Sequence, residues 1–521
     1  MTAPARGPGL RRRWDRFVLR TEGRLDGDTA DRMLPWTLAL VLFVALTAMS
    51  AATVRSLDGG SGLGPWIQAA WRREHGMAGR PVGGLDPASG SWSLGSEPIL
   101  LVARWLPVEA VFTVFQAFVI AVAVVPLWRL ARREAHLRVG ATAVVVIAYA
   151  LAPALHRTNL SAFHPEAMAL PALMAAYLRA RQEQWVRYAL LAGIVLIARG
   201  DLGLTVAALG LLVVLAGHRR AGAITSVVGI AWTAVAVVVA SPDLPDGRLT
   251  PAEEFVARAT GPLAVVPRLL ADPIQLGRQL FAEPSVLFLV VVLAPLLFLP
   301  LVSPRRVGAA APAMALAMIA DTLVQEAAER GVVNLSPAAA HIAPALAFVF
   351  VALVFALERI GDLSVTRVNV DRRVLLALLA GATLLFLTES PSSPYEAPWG
   401  WGSRDAVDGA RLEAADLVDD AEAVATSPSV TAQVAARAQL IELPPAPADL
   451  DAPLLDGLAD RVDVVLLDTT GDDPLTRRPF WTGSDVRRVV RRLERSGFVS
   501  VYDAQGIHLL RVDPQAVAAS E

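Results

Sequence analysis

Three short polar clusters interrupt an otherwise apolar chain, and their residue types define the chemistry open to it. His156-Arg157-Thr158-Asn159 is followed by Phe163-His164-Pro165-Glu166. A histidine and a carboxylate at the mouth of a helix can serve as acid, base, metal ligand or phosphate partner. Pro165 at a first helical position with Glu166 in the first turn is also ordinary helix-start chemistry, which accounts for Glu166 and leaves His164 unexplained. Further along comes Arg199-Gly200-Asp201. Its two charged residues can pair and cap a turn, or the guanidinium can bind a lipid-linked phosphate, whose oxygens it matches in a bidentate way. The third cluster opens with Arg55-Ser56-Leu57-Asp58 and runs through Gly59-Gly60-Ser61-Gly62-Leu63-Gly64-Pro65 into Trp66, Gln68, Trp71 and Arg72. Glycines permit tight backbone approach, and aromatics at helical spacing beside a membrane fit a helix lying under the headgroups. Such a helix is either a plain interfacial anchor or the rim of a lipid-facing active site.

These clusters need elements to hold them, and the composition says which. The residues are 54% hydrophobic and 18% charged, with a mean hydropathy of +0.48, too apolar for an ordinary soluble domain. A net charge of -2 offers no global attraction for nucleic acid. With no cysteine there is no disulfide, thiolate nucleophile or Cys-ligated zinc. A spanning helix needs roughly 20 apolar residues, fewer where neighbours share the burden. On that rule about eleven spans are expected, near 33–54, 109–128, 139–155, 165–179, 187–199, 202–217, 222–240, 285–303, 307–324, 340–357 and 373–389. Residues 1–32 form an Arg-rich tail rather than a cleavable signal peptide.

Arginine sets the orientation. It recurs in alternate loops, at Arg129, Arg132, Arg133 and Arg138, then at Arg179, Arg181 and Arg187, then at the pairs Arg219, Arg220 and Arg305, Arg306, and finally at Arg359, Arg367, Arg372 and Arg373. Positive flanks stay cytoplasmic, so the N-terminus of this multi-pass cell-membrane protein is expected inside and, with an odd span count, the C-terminal domain outside. Two long segments, 55–108 and 241–284, then face out, and all three polar clusters fall on the outer side. Residues 390–521 lose the long apolar runs and alternate short strands with amphipathic helices. Strands are expected at 421–426, 439–443, 462–468, 498–502 and 506–512, with a helix over 484–496 that Ser484 caps and Gly497 ends. The fold class is thus mainly α, a polytopic membrane helix bundle over 33–389 with a C-terminal soluble α/β domain over 390–521. That domain is either simply a folded outer module or a contributor to substrate contact.

The run Ser161-Ala162-Phe163-His164-Pro165-Glu166-Ala167-Met168-Ala169-Leu170-Pro171, with Arg199-Gly200-Asp201-Leu202-Gly203-Leu204, Gly62-Leu63-Gly64, Gln68 and Trp71, resembles the family of bacterial membrane proteins called domain of unknown function 2079. The resemblance spans most of the chain and includes a tail with Val464-Val465-Leu466-Leu467-Asp468. It implies a fold similar to the GT-C class of polytopic glycosyltransferases, which move sugars from polyprenyl-phosphate carriers on the outer face. The family patterns are Asp-Leu-Gly followed by Gln and Trp, then Asp-Phe-His-Pro-Glu, then Lys-x-Asp. Here Gly62 and Ala162 stand where acids are usual, Arg199 replaces the Lys, and Gly95 stands where a His is usual before Pro98. Gln68, Trp71, His164, Pro165, Glu166 and Asp201 match.

A sugar transfer of the implied kind needs a carboxylate, or a metal, to help take a proton from the acceptor hydroxyl, and cations to hold the departing phosphate. Asp58 is the first candidate base and Glu97 the second; His164 and Arg199 are candidate phosphate partners, with Gln68, Trp71, Glu166 and Asp201 completing the substrate-binding set. No ligand spacing names a metal, so a divalent cofactor is left open. The expected partners are a lipid-linked sugar or lipid phosphate and the membrane lipids, in cell-envelope glycan assembly. Two other classes stay in play. One is a catalytically degenerate relative that binds lipid carriers or partner enzymes, which the missing acids favour. The other is a transporter, which the absence of mid-span charges and of inverted broken helices disfavours.

Overall fold

The computed structural model describes residues 27–57, 60–77, 93–161, 163–240, 274, 277, 280–281, 283–320, 342–364, 366–395, 402–444, 446–448, 450, 452–472 and 478–513. The described residues open with α1 (Asp28–Arg55) and α2 (Gly60–Glu74), then α3 (Val108–Val122), which runs on through Val124–Arg129 into a π turn at Leu130–Glu134. Helices α4 (Val139–Ala150), α5 (Pro153–Ser161), α6 (Ala169–Arg181), α7 (Trp185–Ala198), α8 (Gly203–Leu215) and α9 (Arg219–Ala240) follow. After shorter pieces come α10 (Ala343–Ile360), the hairpin β1 (Asp362–Ser364) and β2 (Arg367–Asn369), and α11 (Arg372–Glu389).

Length and apolarity together decide which helices can cross a bilayer. Among the described residues four qualify: α1, the continuous run Val108–Glu134, the Arg219–Val238 part of α9, and α10. The pair α4 and α5, bent by 41°, is a fifth candidate. The expectation of about eleven spans is not confirmed. Helices α6, α7 and α8 have 13, 14 and 13 residues, or about 20 Å each against a hydrocarbon core of about 30 Å. The 3-10 turn at Pro165–Met168 takes up the start of the expected 165–179 span, and the turn at Gly200–Leu202 lies at the polar break expected between 187–199 and 202–217.

Burial separates the helices. In α10 every residue from Ala343 to Leu357 is buried, because no charge appears before Glu358 and a helix apolar on all sides belongs in a core. By contrast α1 leaves Met33, Trp36, Leu40, Val41 and Val44 exposed on a face suited to lipid. Its start is held by Asp31, which accepts from buried Arg132 at 2.7 and 3.1 Å and from Trp128 at 3.2 Å. Helices α8 and α9 touch backbone to backbone, since a Cβ on Gly203 would overlap Gly229 and the reverse.

The C-terminal residues add α12 (Ala406–Asp416), β3 (Val424–Thr426), the short α13 (Thr431–Val434), β4 (Leu440–Glu442), β5 (Val464–Asp468), α14 (Gly483–Arg495), β6 (Phe498–Ala504) and β7 (Ile507–Val512). The strands form a five-stranded sheet in the order β4-β3-β5-β7-β6, with β3 parallel to β4 and β5, and β7 antiparallel to its neighbours. All five expected strands are present. The helix expected at 484–496 starts earlier: Thr482, not Ser484, is the cap, because its hydroxyl accepts from the Asp485 N–H while Asp485 answers to the Thr482 N–H. One apolar cluster joins Leu63, Trp66 and Ile67 of α2 to Phe112, Phe163 and the sheet residues Val424, Val464 and Leu509. Helix α2 is therefore sandwiched between α3 and the sheet, a more enclosed position than that of a helix lying in the headgroups. Gly64 makes this possible, since a Cβ there would overlap Thr431 of α13.

Candidate functional site

Two breaks in the helical path meet at one end of α6 and α7. The first, between α5 and α6, carries Phe163, His164 and the turn Pro165–Met168. The second, between α7 and α8, holds Arg199 in extended backbone ahead of the turn Gly200–Leu202. Both reach the same level because α6 and α7 are joined by a short turn at their other ends.

Arg199, Glu166 and Asp201 are buried together there. The Arg199 guanidinium forks onto Asp201, Nε to Oδ1 at 2.5 Å and Nη2 to Oδ2 at 2.8 Å, and its Nη1 reaches Glu166 Oε1 at 2.8 Å. His164 Nδ1 stands 3.5 Å from that same Glu166 oxygen, and its Nε2 lies 3.0 Å from Ser161 Oγ. The His164 backbone N–H donates to Gln116 Oε1 at 2.6 Å, and the Gln116 amide donates to Thr158 O at 2.5 Å, so α3 fixes the break. His164 and Arg199 thus meet on one carboxylate oxygen. At 8% exposure His164 is the member that reaches outward, the other three being at 2% or less. Two buried carboxylates thus share one guanidinium, and the imidazole stands against one of them. A histidine backed by a carboxylate is also a competent proton-transfer pair.

Beside this cluster lies a cavity of 440 Å³ between α1, α2, α3 and α13, lined by Thr47, Val54, Leu57, Leu63, Glu109, Thr113, Val114 and Gln433 among others. A narrower pocket shares Val54, Leu63 and Thr113 with it and continues past Ser50, Thr53, Gln116 and Asn159 to Ser161 and Phe163. The neck is held open by polar contacts across helices: Asn159 Nδ2 donates to Ser50 Oγ at 2.7 Å and to Leu46 O at 3.0 Å. A groove with exposed residues such as Val114 on its wall therefore leads, through a narrow neck, to the hydroxyl and amide that hold His164.

The remaining sequence candidates fall around this arrangement. Gln68 is buried on α2, and its Nε2 has no hydrogen-bond partner among the described residues. Trp71 stacks on His75 with ring centroids 4.0 Å apart. Glu97 faces solvent in a 2.6 Å ion pair with Arg73 and does not line the groove. Asp58 lies outside the described residues. Among the described residues no group of three or more His, Asp or Glu is placed to hold a metal ion. Sequence reasoning passed over Glu109 and Gln433. Glu109 looks like any acid in the first turn of a helix, and Gln433 reaches the groove only through the docking of α13, which no local pattern announces. Asp468, at the end of β5, is held internally: against the desolvation of burial, bonds from Ser429, Thr470 and Arg411 keep its carboxyl below the usual carboxylate range.

The family model described as "Predicted membrane protein (DUF2079)" matches residues 97–508. No curated protein matches the chain. Among solved structures, the chain is similar to the arabinofuranosyltransferase AftD from mycobacteria, determined by single-particle cryo-EM, at 15% identity and a TM-score of 0.49. The match covers 93% of this chain and 40% of that one, so this chain spans less than half the length of that protein.

Proposed function

This chain belongs to the DUF2079 family of predicted membrane proteins, and from that premise we propose that it is a membrane glycosyltransferase acting on a polyprenyl-phosphate-linked sugar. One observation supports the reading: the 440 Å³ groove, walled partly by exposed side chains, narrows into a neck that ends at Ser161 and Gln116, the two side chains that hold His164. An isoprenoid chain suits the apolar part, and its sugar phosphate would sit at the mouth of the neck, whose 20 Å³ admits only a water-sized group. In the transfer, the acceptor hydroxyl oxygen bonds to the anomeric carbon as the bond from that carbon to the carrier phosphate breaks. The hydroxyl proton passes to a protein base, and the carrier leaves as a lipid phosphate. Asp58, next in sequence to groove-lining Leu57, is our first base, and Glu109 is the described carboxylate that lines the groove itself. Glu97 would have to leave Arg73 to serve. Arg199 and Asp201 position Glu166, and Glu166 positions His164; Gln68 and Trp71 belong to the helix whose Leu63 forms one wall. The same reading puts the site on the outer face, with the N-terminus in the cytoplasm.

A second reading, a catalytically degenerate carrier-binding protein, is favoured by one feature. The Arg199 guanidinium is committed to Glu166 and Asp201, and among the described residues that line the groove none is cationic. Mass spectrometry of the purified protein, together with release of polyprenyl phosphate from a polyprenyl-phosphate-linked sugar, tests both. The transferase reading expects copurifying carrier and turnover that Asp58→Asn or Glu109→Gln abolishes while carrier is retained. Carrier without turnover supports the degenerate reading, and absence of any carrier sinks both. An EDTA arm reports whether a divalent ion assists.

A further inference from the structure

The other end of α6 carries a charge pattern that the proposed transfer does not use. Arg129 and Arg133 at the end of the second span, Arg179 in the last turn of α6, and Arg187 in the first turn of α7 crowd together there. Arg129 is repelled by Arg133 and Arg179, and Arg179 in turn by Arg187 and Arg133. Among the described residues no ion pair neutralises any of the four. Two of them are bonded to neutral amides: Arg179 Nη1 donates to Gln182 Oε1 and to Gln184 Oε1, both at 3.0 Å, and Arg187 Nη1 donates to the same Gln184 Oε1 at 3.1 Å, which brings these two guanidiniums together. The neighbouring carboxylate, Glu134, is taken up by Arg181 and Gln182 instead.

A general preference for arginine at cytoplasmic helix ends explains why such residues occur here, but not why the acids beside them turn to other partners, Glu134 to Arg181 and Glu183 to His218. Elsewhere at this end Asp31 neutralises Arg132 and Glu134 neutralises Arg181. Four like charges gathered here, two of them held in place by amides, repel one another unless an anion from outside balances them. The surroundings identify its source. Val186, next to Arg187, is 76% exposed, and Leu190 one turn on is 66% exposed, so an apolar wall rises into the membrane beside the charges. Trp185 stands at the same level with its ring 5.0 Å from that of His218, as interfacial aromatics do.

We infer that Arg129, Arg133, Arg179 and Arg187 form a binding site for the phosphate headgroup of an anionic phospholipid in the leaflet at this end of the helices. Guanidiniums match phosphate oxygens in forked geometry, and basic pockets between membrane helices suit lipid headgroups. The acyl chains lie along Val186 and Leu190.

Native mass spectrometry of the full-length protein, purified in detergent with equal phosphatidylglycerol and phosphatidylcholine, tests the site. Wild type is expected to retain phosphatidylglycerol over phosphatidylcholine by about fivefold or more, and Arg129→Gln/Arg179→Gln to lose that preference. In phosphatidylcholine alone the double variant should melt no lower than wild type, since its repulsion is relieved; Arg133→Gln/Arg187→Gln repeats the measurement at the other two positions. Arg219→Gln/Arg220→Gln, which removes two exposed charges at the start of α9, should keep the preference. Equal retention of both lipids by wild type, an equal loss in the Arg219/Arg220 control, or stabilisation by millimolar inorganic phosphate as large as that by phosphatidylglycerol would each overturn the inference.

Discussion

At its amino end α6 meets a guanidinium closed in by carboxylates, whereas at its carboxyl end it contributes one of four guanidiniums that no ion pair neutralises among the described residues, two of them bonded to glutamine amides. The two sites stand about 20 Å apart along one helix. In the first, Arg199 ties Glu166 and Asp201 together in a buried setting, so its charge is architecture: it fixes two chain breaks and orients His164. In the second, the fold keeps the cations in place and leaves their balance to something outside. Charge cancelled within a protein holds its shape, and charge left standing where side chains crowd marks a ligand.

The largest effect expected from breaking this contrast is that of Arg199→Ala. It leaves two buried carboxylates facing each other without a counter-cation, a change that costs about 3–5 kcal/mol when one partner of a buried ion pair is removed. Thermal unfolding in detergent should show a fall of many degrees or failure to fold. An unchanged melting temperature would mean that Arg199 is not what holds the cluster, and its assignment as a positioning residue would fall.

Glu442 sharpens the same comparison from outside the membrane helices, as a buried carboxyl near no cation. Desolvation pushes it up to about 7 from an ordinary 4.5, against the pull of a hydrogen bond from Thr431. Below the ordinary value the group is protonated in folded and unfolded chains alike and costs nothing. As pH rises from there to about 7 the unfolded chain sheds its proton first, so stability falls, by roughly 3 kcal/mol once both states are ionised. Unfolding followed at pH 5 and at pH 8 should show the higher stability at pH 5, and Glu442→Gln should flatten the difference. A wild-type profile already flat across that window would contradict the burial argument.

How much of this was legible in sequence depended on whether the cause was local. The strands of the sheet announce themselves through runs such as Val464–Leu467, which are buried on both faces and so apolar throughout. Phe163-His164-Pro165-Glu166 and Arg199-Gly200-Asp201 carried the family resemblance, which the family match over residues 97–508 bears out. The span count is less legible, because the apolar runs flanking these motifs form helices of only 13 or 14 residues. Ser484 and Thr482 are both fair caps by residue type, and only the bond returned by Asp485 decides between them. Glu166 as the shared partner of His164 and Arg199, and Glu109 with Gln433 across the groove, are matters of tertiary approach that spacing along the chain does not encode.

The smallest expected effect tests the contrast from its quiet side. Glu134 is the one acid that keeps Arg181 out of the arginine group, through a long contact of 3.4 Å to Arg181 Nε and another of 3.2 Å from Gln182 Nε2. The Arg181 side chain is 37% exposed, so solvent screens the pair, and Glu134→Gln should lower stability in neutral lipid by no more than about 1 kcal/mol. The same substitution releases a fifth guanidinium beside the four. Phosphatidylglycerol retention should therefore rise above wild type and fall more steeply with added salt, since exposed charges are screened over about 10 Å at 0.1 M. Arg129→Gln acts in the opposite direction on retention and without a penalty in neutral lipid, so the two variants bracket wild type. A fall in phosphatidylglycerol retention with Glu134→Gln would show that Glu134 orders the arginines rather than screening them, and the carboxyl end of α6 would then resemble its amino end more than its charges suggest.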